Sequence, residues 1–402
     1  MTEDAHRIVA DAIRARVFPA ATMEIGESDG VLWRDALGTR TFDSSSSPAD
    51  IHTPFDLASL TKAIATTTVV MELVRTASLR LDERVATFFD DWRGADRAHV
   101  TVQDLLEHAS GLPARLLDAP PAGRRELAHD ICTMPLEYAP RARSIYSDLG
   151  FILLGFLVAP RGGASLADQF DRVWVRLKPD ATPGGRDTTP GGSDVTVRLK
   201  PDTTEDDSDA NSVPASVPAS VPDFGSVRLQ PDLLTFDLPR DVRRLAAPTM
   251  PMAEDARRGR MLVGEVHDNY AAALGGIAGH AGLFGTAPGV GAFARTLLRA
   301  SRGDDRTPAP FSPARMTAFT TRSAVPGSSR ALGWDTMLPS SSCGTRMSSA
   351  AFGHVGFTGT SLWIDPVRDR YFVLLTNRTC GGGTVDDIRA VRREFHDALG
   401  DV

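Results

Sequence analysis

The chain has 402 residues, a formal net charge of −7, 42% hydrophobic residues and 24% charged residues, a globular balance that can bury a core without disulfide or metal staples. The mild acidity and the lack of any Lys/Arg-rich run exclude a basic nucleic-acid-binding surface. Its three cysteines, Cys132, Cys343 and Cys380, contain no CxxC and are odd in number, which speaks against a disulfide scaffold or a cysteine-ligated zinc site.

Taken in chain order, Glu3–Arg16 has the pattern of an opening helix. The acidic residues near its start and the lack of an unbroken apolar stretch do not fit an export signal, so the sequence as written reads as cytoplasmic, or periplasmic if its start is mis-assigned. Ala20–Ile25 and Val31–Leu37 read as a hairpin around Ser28-Asp29-Gly30. After Ser59, apolar residues at Leu60, Ala63, Ile64, Val70, Met71 and Val74 fall at helical spacing with one buried face. Thr101-Val-Gln-Asp104 resembles a capping box, with Asp in place of the usual Glu, opening the short helix LLEH. Ser147–Val158 is an apolar helix. It carries the longest apolar run, Phe151–Ala159, far short of the ~20 residues that span a bilayer.

A compositional break follows. From Arg176 to Asp232 the chain is rich in Pro, Gly, Ser, Thr and Asp. VRLKPD begins at Val175 and again at Val197, and VRLQPD at Val227, at unequal spacings. A solenoid needs a fixed period and a buried face per repeat. Residues 176–232 have too little apolar surface to offset the cost of ordering them, and they read as a disordered low-complexity insertion. The remainder, 1–175 and 233–402, reads as one catalytic domain. Towards the C-terminus, Ala351–Val355, Thr360–Ile364 and Tyr371–Thr376 are predicted strands and Val385–Leu399 a final amphipathic helix. Strands near both ends suggest a sheet assembled from distant parts of the chain.

Three short motifs carry chemistry. In Ser59-Leu-Thr-Lys62, a helix opening at Ser59 puts the lysine one turn on and on the same face. The helix dipole opposes a cation there, favouring a neutral, proton-accepting amine. The Ser59 N–H faces out of the helix start, where it can serve an oxyanion. Tyr146-Ser-Asp148 stands at the head of the apolar helix. His354-Val-Gly356 ends a strand, with glycines where backbone approaches a ligand. Each motif alone is commoner as a cap, a packed ring or a structural histidine. His280, among the small residues of GIAGHAGLF, reads either as a structural hydrogen-bonding residue or as part of the active-site rim. No zinc-ligand spacing, GxSxG elbow, P-loop or dinucleotide fingerprint is present.

In this order the three motifs resemble those of the serine β-lactamase-like superfamily. The likeness is greatest to the branch of class C β-lactamases, D-alanyl-D-alanine carboxypeptidases and their esterase relatives. Leu105–Pro113 (LLEHASGLP), Tyr146–Gly155, Gly264–Phe284 and Gly353–Pro366 add to it. The resemblance implies an α+β fold, an antiparallel sheet flanked by helices plus a helical subdomain, with the cleft between them. It implies a serine hydrolase acting on an ester or amide of a small molecule or peptide, with no cofactor, metal, nucleic acid or integral membrane segment. By the same resemblance Ser59 is the nucleophile, and Lys62 and Tyr146 move its proton. His354 matches the third-motif basic residue, which shapes the electrostatics of the site and faces a substrate carboxylate; it stands in place of Lys, and with a reference pKa of ~6.5 a histidine loses its charge near neutrality. The Ser59 and Phe357 N–H groups form the oxyanion hole beside Gly356. Asp148 stands where the family has Asn and favours a protonated Lys62. The rival reading is a catalytically silent relative that binds a peptide or cell-wall fragment.

Overall fold

The computed structural model describes residues 2–115, 120–121, 123–177, 233–304 and 306–400. Strands β1 (Ala20–Gly26), β2 (Val31–Gly38), β3 (Phe55–Asp56), β4 (Leu234–Thr235), β5 (Phe284–Gly285), β6 (Asp335–Thr336), β7 (Phe352–Val355), β8 (Ser361–Asp365) and β9 (Arg370–Thr376) make two sheets among these residues. The larger is antiparallel, in the order β2-β1-β9-β8-β7-β6, and the smaller is β3-β5-β4. β1 pairs with β9 from Ala21↔Thr376 to Gly26↔Tyr371, so the two ends of the chain close one sheet, as the patterning suggested.

Side-chain alternation sorts the sheet into two faces. Ala21, Met23, Ile25, Trp363, Phe372 and Leu374 pack under helices α1 (Thr2–Arg14) and, from the other end of the chain, Val385–Leu399. Leu362, Ile364, Tyr371, Val373 and Leu375 face the main core. Buried Glu24 is fastened on that side by the Tyr371 hydroxyl (2.6 Å), Arg34 (2.6 Å) and Arg295 (3.1 Å).

The remaining helices are α2 (Thr67–Arg75), α3 (Val102–Leu106), α4 (Arg124–Thr133), α5 (Asp148–Gly162), α6 (Leu166–Leu177), α7 (Arg240–Arg243), α8 (Asn269–Ala273), α9 (Ala287–Ser301), α10 (Pro313–Thr320) and α11, the final Val385–Leu399. The predicted capping box at Thr101 and Asp104 is present on α3. α5 is apolar around its whole circumference, with Leu149, Phe151, Ile152, Leu153, Leu154 and Leu157 buried, so it is the core of a helical subdomain formed with α2, α3 and α6. Among the described residues no single helix is long and apolar enough to cross a bilayer. The α5–α6 pair reaches that length only across a 73° break, and its apolar side chains lie in the core.

The expected insertion, 176–232, lies outside the described residues except for Arg176 and Leu177, which complete α6. The chain leaves and returns at one place: Trp174 and Val175 line the same cavity as Leu233 and Leu234. A short linker can therefore bridge the two ends. Replacing 178–232 by about eight Gly/Ser residues is expected to preserve activity and to change closure entropy by less than about 2 kcal/mol. Thermal unfolding of the deleted chain checks this; loss of the folded state would show that the segment contributes to the core.

Candidate active site

The cleft lies between the helical subdomain and the β7 edge of the sheet. Ser59 enters it on a tight turn after β3. Ala58 adopts φ +46°, an uncommon conformation for a residue with a Cβ. Asp56 Oδ1 secures it by accepting the Ala58 N–H at 2.8 Å. Leu60, Thr61 and Lys62 then donate backbone N–H groups three residues back, to Leu57, Ala58 and Ser59. The helix predicted here begins with a π-turn, Lys62–Thr66, before it becomes α2. The Thr67 N–H and hydroxyl both donate to the Lys62 carbonyl, the latter at 2.8 Å. Such turns are often found at functional sites.

Lys62 is fully buried, and its ammonium has three acceptors for three protons: Ser59 Oγ (3.0 Å), Asp148 Oδ1 (2.7 Å) and the His280 carbonyl (3.2 Å). Burial alone would lower its pKa, but the Asp148 carboxylate and the Tyr146 oxygen outweigh that and raise it. The neutral lysine expected from the helix dipole is therefore not the resting form; as expected from Asp148 in place of Asn, that carboxylate keeps the amine charged.

Tyr146 and Asp148 are delivered by the start of α5. Ser147 caps that helix by accepting the Gly150 N–H, and its own hydroxyl donates to the Pro113 carbonyl at 2.6 Å. The Ser147 N–H donates to His108 Nδ1 at 3.0 Å. Burial first, then Arg330 and Lys62, hold the His108 ring well below its usual pKa, which leaves a neutral ring able to accept that bond. The stretch Leu105–Pro113 thus works as a bracket for the second motif. The Tyr146 ring packs against His108 (4.7 Å between centroids) and His354 (5.9 Å), and Lys62 Nζ lies 4.8 Å from its centre. Burial raises the Tyr146 pKa, Lys62 opposes this and Asp148 adds to it, so the phenol is protonated at rest.

His354, on β7, is 2% exposed. Its Nδ1 lies 2.9 Å from the Val355 carbonyl, which can only accept, so Nδ1 carries the proton and Nε2 keeps a lone pair. Nε2 has no partner among the described residues. Burial, with Lys62 and Arg330 nearby, holds the ring well below its ordinary pKa. This corrects the expected charge loss near neutrality: His354 is already neutral there, and Arg330, whose guanidinium sits 5.1 Å over the Tyr146 ring, is one of the cations lining the same cavity.

Gly356 passes so close to the nucleophile turn that a Cβ there would lie 2.5 Å from the Leu57 carbonyl. The loop after it presents Phe357, whose ring lies over His267 (5.5 Å) and under Arg378 (4.6 Å). Among the described residues, the Ser59 and Phe357 N–H groups take no part in the backbone bonds of the turns that carry them. Both residues line the same cavity of about 260 Å³, together with Tyr146, Asp148, His354 and Gly356.

All seven residues singled out from the sequence thus come together. His280 meets both of its readings: its buried ring makes a structural hydrogen bond, Nε2 to Asp268 Oδ1 at 2.8 Å, and it lines the same cavity; burial of that carboxylate is overcome by the His280 ring, which pulls its pKa far down. Asp56, Asp268 and Arg330 were missed. Each is a single residue outside any motif, and only tertiary packing brings it to the cleft.

A family model described as Beta-lactamase matches residues 6–396. The chain is 27% identical over 396 residues to the Escherichia coli K12 protein named "Putative D-alanyl-D-alanine carboxypeptidase", covering 90% of this chain and 79% of that one. It is likewise 27% identical over 391 residues to the N-acetylmuramyl-L-alanine amidase of Bacillus subtilis 168, covering 90% and 77%. The crystal structure of a class C beta lactamase from Rhodobacter sphaeroides superposes with a TM-score of 0.67 at 16% identity, covering 98% of this chain and 99% of that one. At that identity the likeness is one of fold.

Proposed function

The chain belongs to the beta-lactamase family, and from that premise we propose that it is a serine hydrolase that cleaves an ester or amide through an acyl-Ser59 intermediate. The observation that carries this reading is the Lys62 ammonium, buried and shared between Ser59 Oγ at 3.0 Å and Asp148 at 2.7 Å, with the Tyr146 ring beside it. A silent binding protein has no need to bury a charge in that arrangement, because an ion leaves water only at a cost of several kcal/mol.

In the reaction, Ser59 Oγ attacks the substrate carbonyl carbon and the carbonyl oxygen gains negative charge. The N–H groups of Ser59 and Phe357 receive that oxyanion. The Ser59 proton passes into the Lys62–Tyr146 pair. Lys62 can take it only as it gives a proton up, and Asp148, bonded to the same nitrogen, is the acceptor in reach. The proton returns to the leaving group as the C–O or C–N bond breaks. Water then attacks the acyl-serine, the same groups move protons in the reverse sense, and Ser59 is released with a carboxylic acid product.

The names of the two curated relatives describe cleavage of amide bonds next to alanine, so alanine-containing cell-wall peptides are the first substrates to try. A panel of an acetyl ester, a D-alanyl-D-alanine peptide, a muramyl-L-alanine peptide and a chromogenic cephalosporin tests the reading. Turnover of at least one, lost on prior treatment with a fluorophosphonate, is the expected result. No turnover of any of the four and no labelling by the fluorophosphonate would contradict it.

A further inference from the structure

Asp56 belongs to no motif, yet it joins the three segments that surround Ser59. It is the second residue of β3 and 2% exposed. Its Oδ1 accepts the Ala58 N–H at 2.8 Å, in the nucleophile turn. Its Oδ2 accepts the His267 N–H at 2.6 Å, in the loop that leads to Asp268. Its backbone carbonyl accepts the Thr358 hydroxyl at 2.7 Å, one residue after Phe357. A second tie runs alongside: the Thr360 hydroxyl donates to the Leu57 carbonyl at 3.0 Å. The nucleophile turn needs such ties, because Ala58 at φ +46° is not held there by its own preference.

Resting on the acyl-serine reading above, we propose that Asp56 is a positioning residue. It holds the Ser59 and Phe357 N–H groups in register as an oxyanion hole, and protonation of its carboxyl group releases that hold.

The donor inventory gives the reason. Two backbone N–H groups point at the carboxyl group, so both oxygens must accept. Protonation makes one of its oxygens a hydroxyl, a weaker acceptor whose own proton crowds the N–H aimed at it. Asparagine goes further, since its NH₂ group cannot accept at all, so Asp56→Asn removes the two-acceptor form at every pH. Burial raises the Asp56 pKa to about 6, although the His267 and Ala58 N–H groups pull it down; Asp268 adds to the rise and Arg257 opposes it. The two-acceptor form therefore dominates above about pH 6 and is lost as the pH falls through that value.

The experiment is phosphonylation of Ser59 by a fluorophosphonate, in which fluoride leaves phosphorus, with kcat and KM on an active ester, from pH 5 to 8. The wild-type chain is expected to show an acid limb near pH 6. Asp56→Asn is expected to lower kcat at pH 8 by about 10–100-fold with KM within about twofold, and to abolish that limb, since a displaced catalytic group costs up to ~100-fold. A limb that persists unchanged in Asp56→Asn, or wild-type kcat at pH 8, would overturn the proposal. If Asp56→Asn does not fold, Thr358→Val removes only the third tie; it should lower kcat while keeping the limb, and wild-type kcat there would overturn the proposal equally. Failure of the wild-type chain to be phosphonylated at Ser59 or to turn over the ester would take down the hydrolase reading and this proposal together, whereas normal labelling and turnover with no effect of Asp56→Asn sinks this proposal alone.

Discussion

Ser59→Ala is expected to give a folded chain with no measurable acyl transfer. The side chain is half-buried at the head of its helix, and its loss removes one of the three acceptors around Lys62 Nζ while leaving Asp148 and the His280 carbonyl in place. Hydrogen bonds to charged groups are worth ~1.5–3 kcal/mol, a loss most domains of this size withstand. The catalytic loss has no such buffer. Without Oγ there is no covalent intermediate, and the variant should show neither burst nor turnover on any substrate the wild-type chain accepts. Circular dichroism and thermal unfolding establish that the fold persists; retained turnover would move the nucleophile elsewhere.

Tyr146→Phe is expected to lower kcat and kcat/KM together by roughly 10²–10⁴. Only the hydroxyl is removed. The ring contacts with His108 at 4.7 Å and with Arg330 at 5.1 Å do not depend on it, so folding should be unaffected. The size of the effect follows from the charge state of Lys62. An ammonium bonded to three acceptors is not itself a base, so the phenol serves as a relay: its oxygen takes the Ser59 proton as its own proton is handed on towards Lys62, which gives one to Asp148. Rates equal to wild type would leave the Lys62–Asp148 pair as the whole proton path, and Tyr146 as a packing residue.

The three motifs were legible because their spacing is local or nearly so. Ser59 and Lys62 share one helical turn, Tyr146 stands at the head of an apolar helix, and His354 and Gly356 end a strand. The closing of the sheet by β1 and β9 was legible too, from strand patterns near both termini. For the charge on Lys62 the sequence offered two opposed expectations, the helix dipole favouring a neutral amine and Asp148 a protonated one, and the packing decides for the second. A helix dipole contributes ~0.3–1 kcal/mol near a terminus, whereas two opposite charges about 4 Å apart at an effective dielectric of ~20 attract by roughly 4 kcal/mol. Asp148 therefore decides the state of Lys62, and its position depends on how α5 packs against the nucleophile turn. His354 is a similar case: the sequence gives its strand, but the burial that keeps it neutral comes from residues far along the chain. The π-turn at Lys62–Thr66 has an ordinary helical pattern of side chains, and Asp56 looks like any aspartate ending a short strand.

Every step of the proposed reaction runs through covalent acylation of Ser59. Intact-mass measurement of the chain quenched during turnover of an active ester, followed by peptide mapping, tests it most directly. One acyl group per chain is expected, on the peptide that contains Ser59, persisting longer in Tyr146→Phe and absent in Ser59→Ala. Turnover without any adduct, or an adduct on a different residue that survives Ser59→Ala, would contradict it.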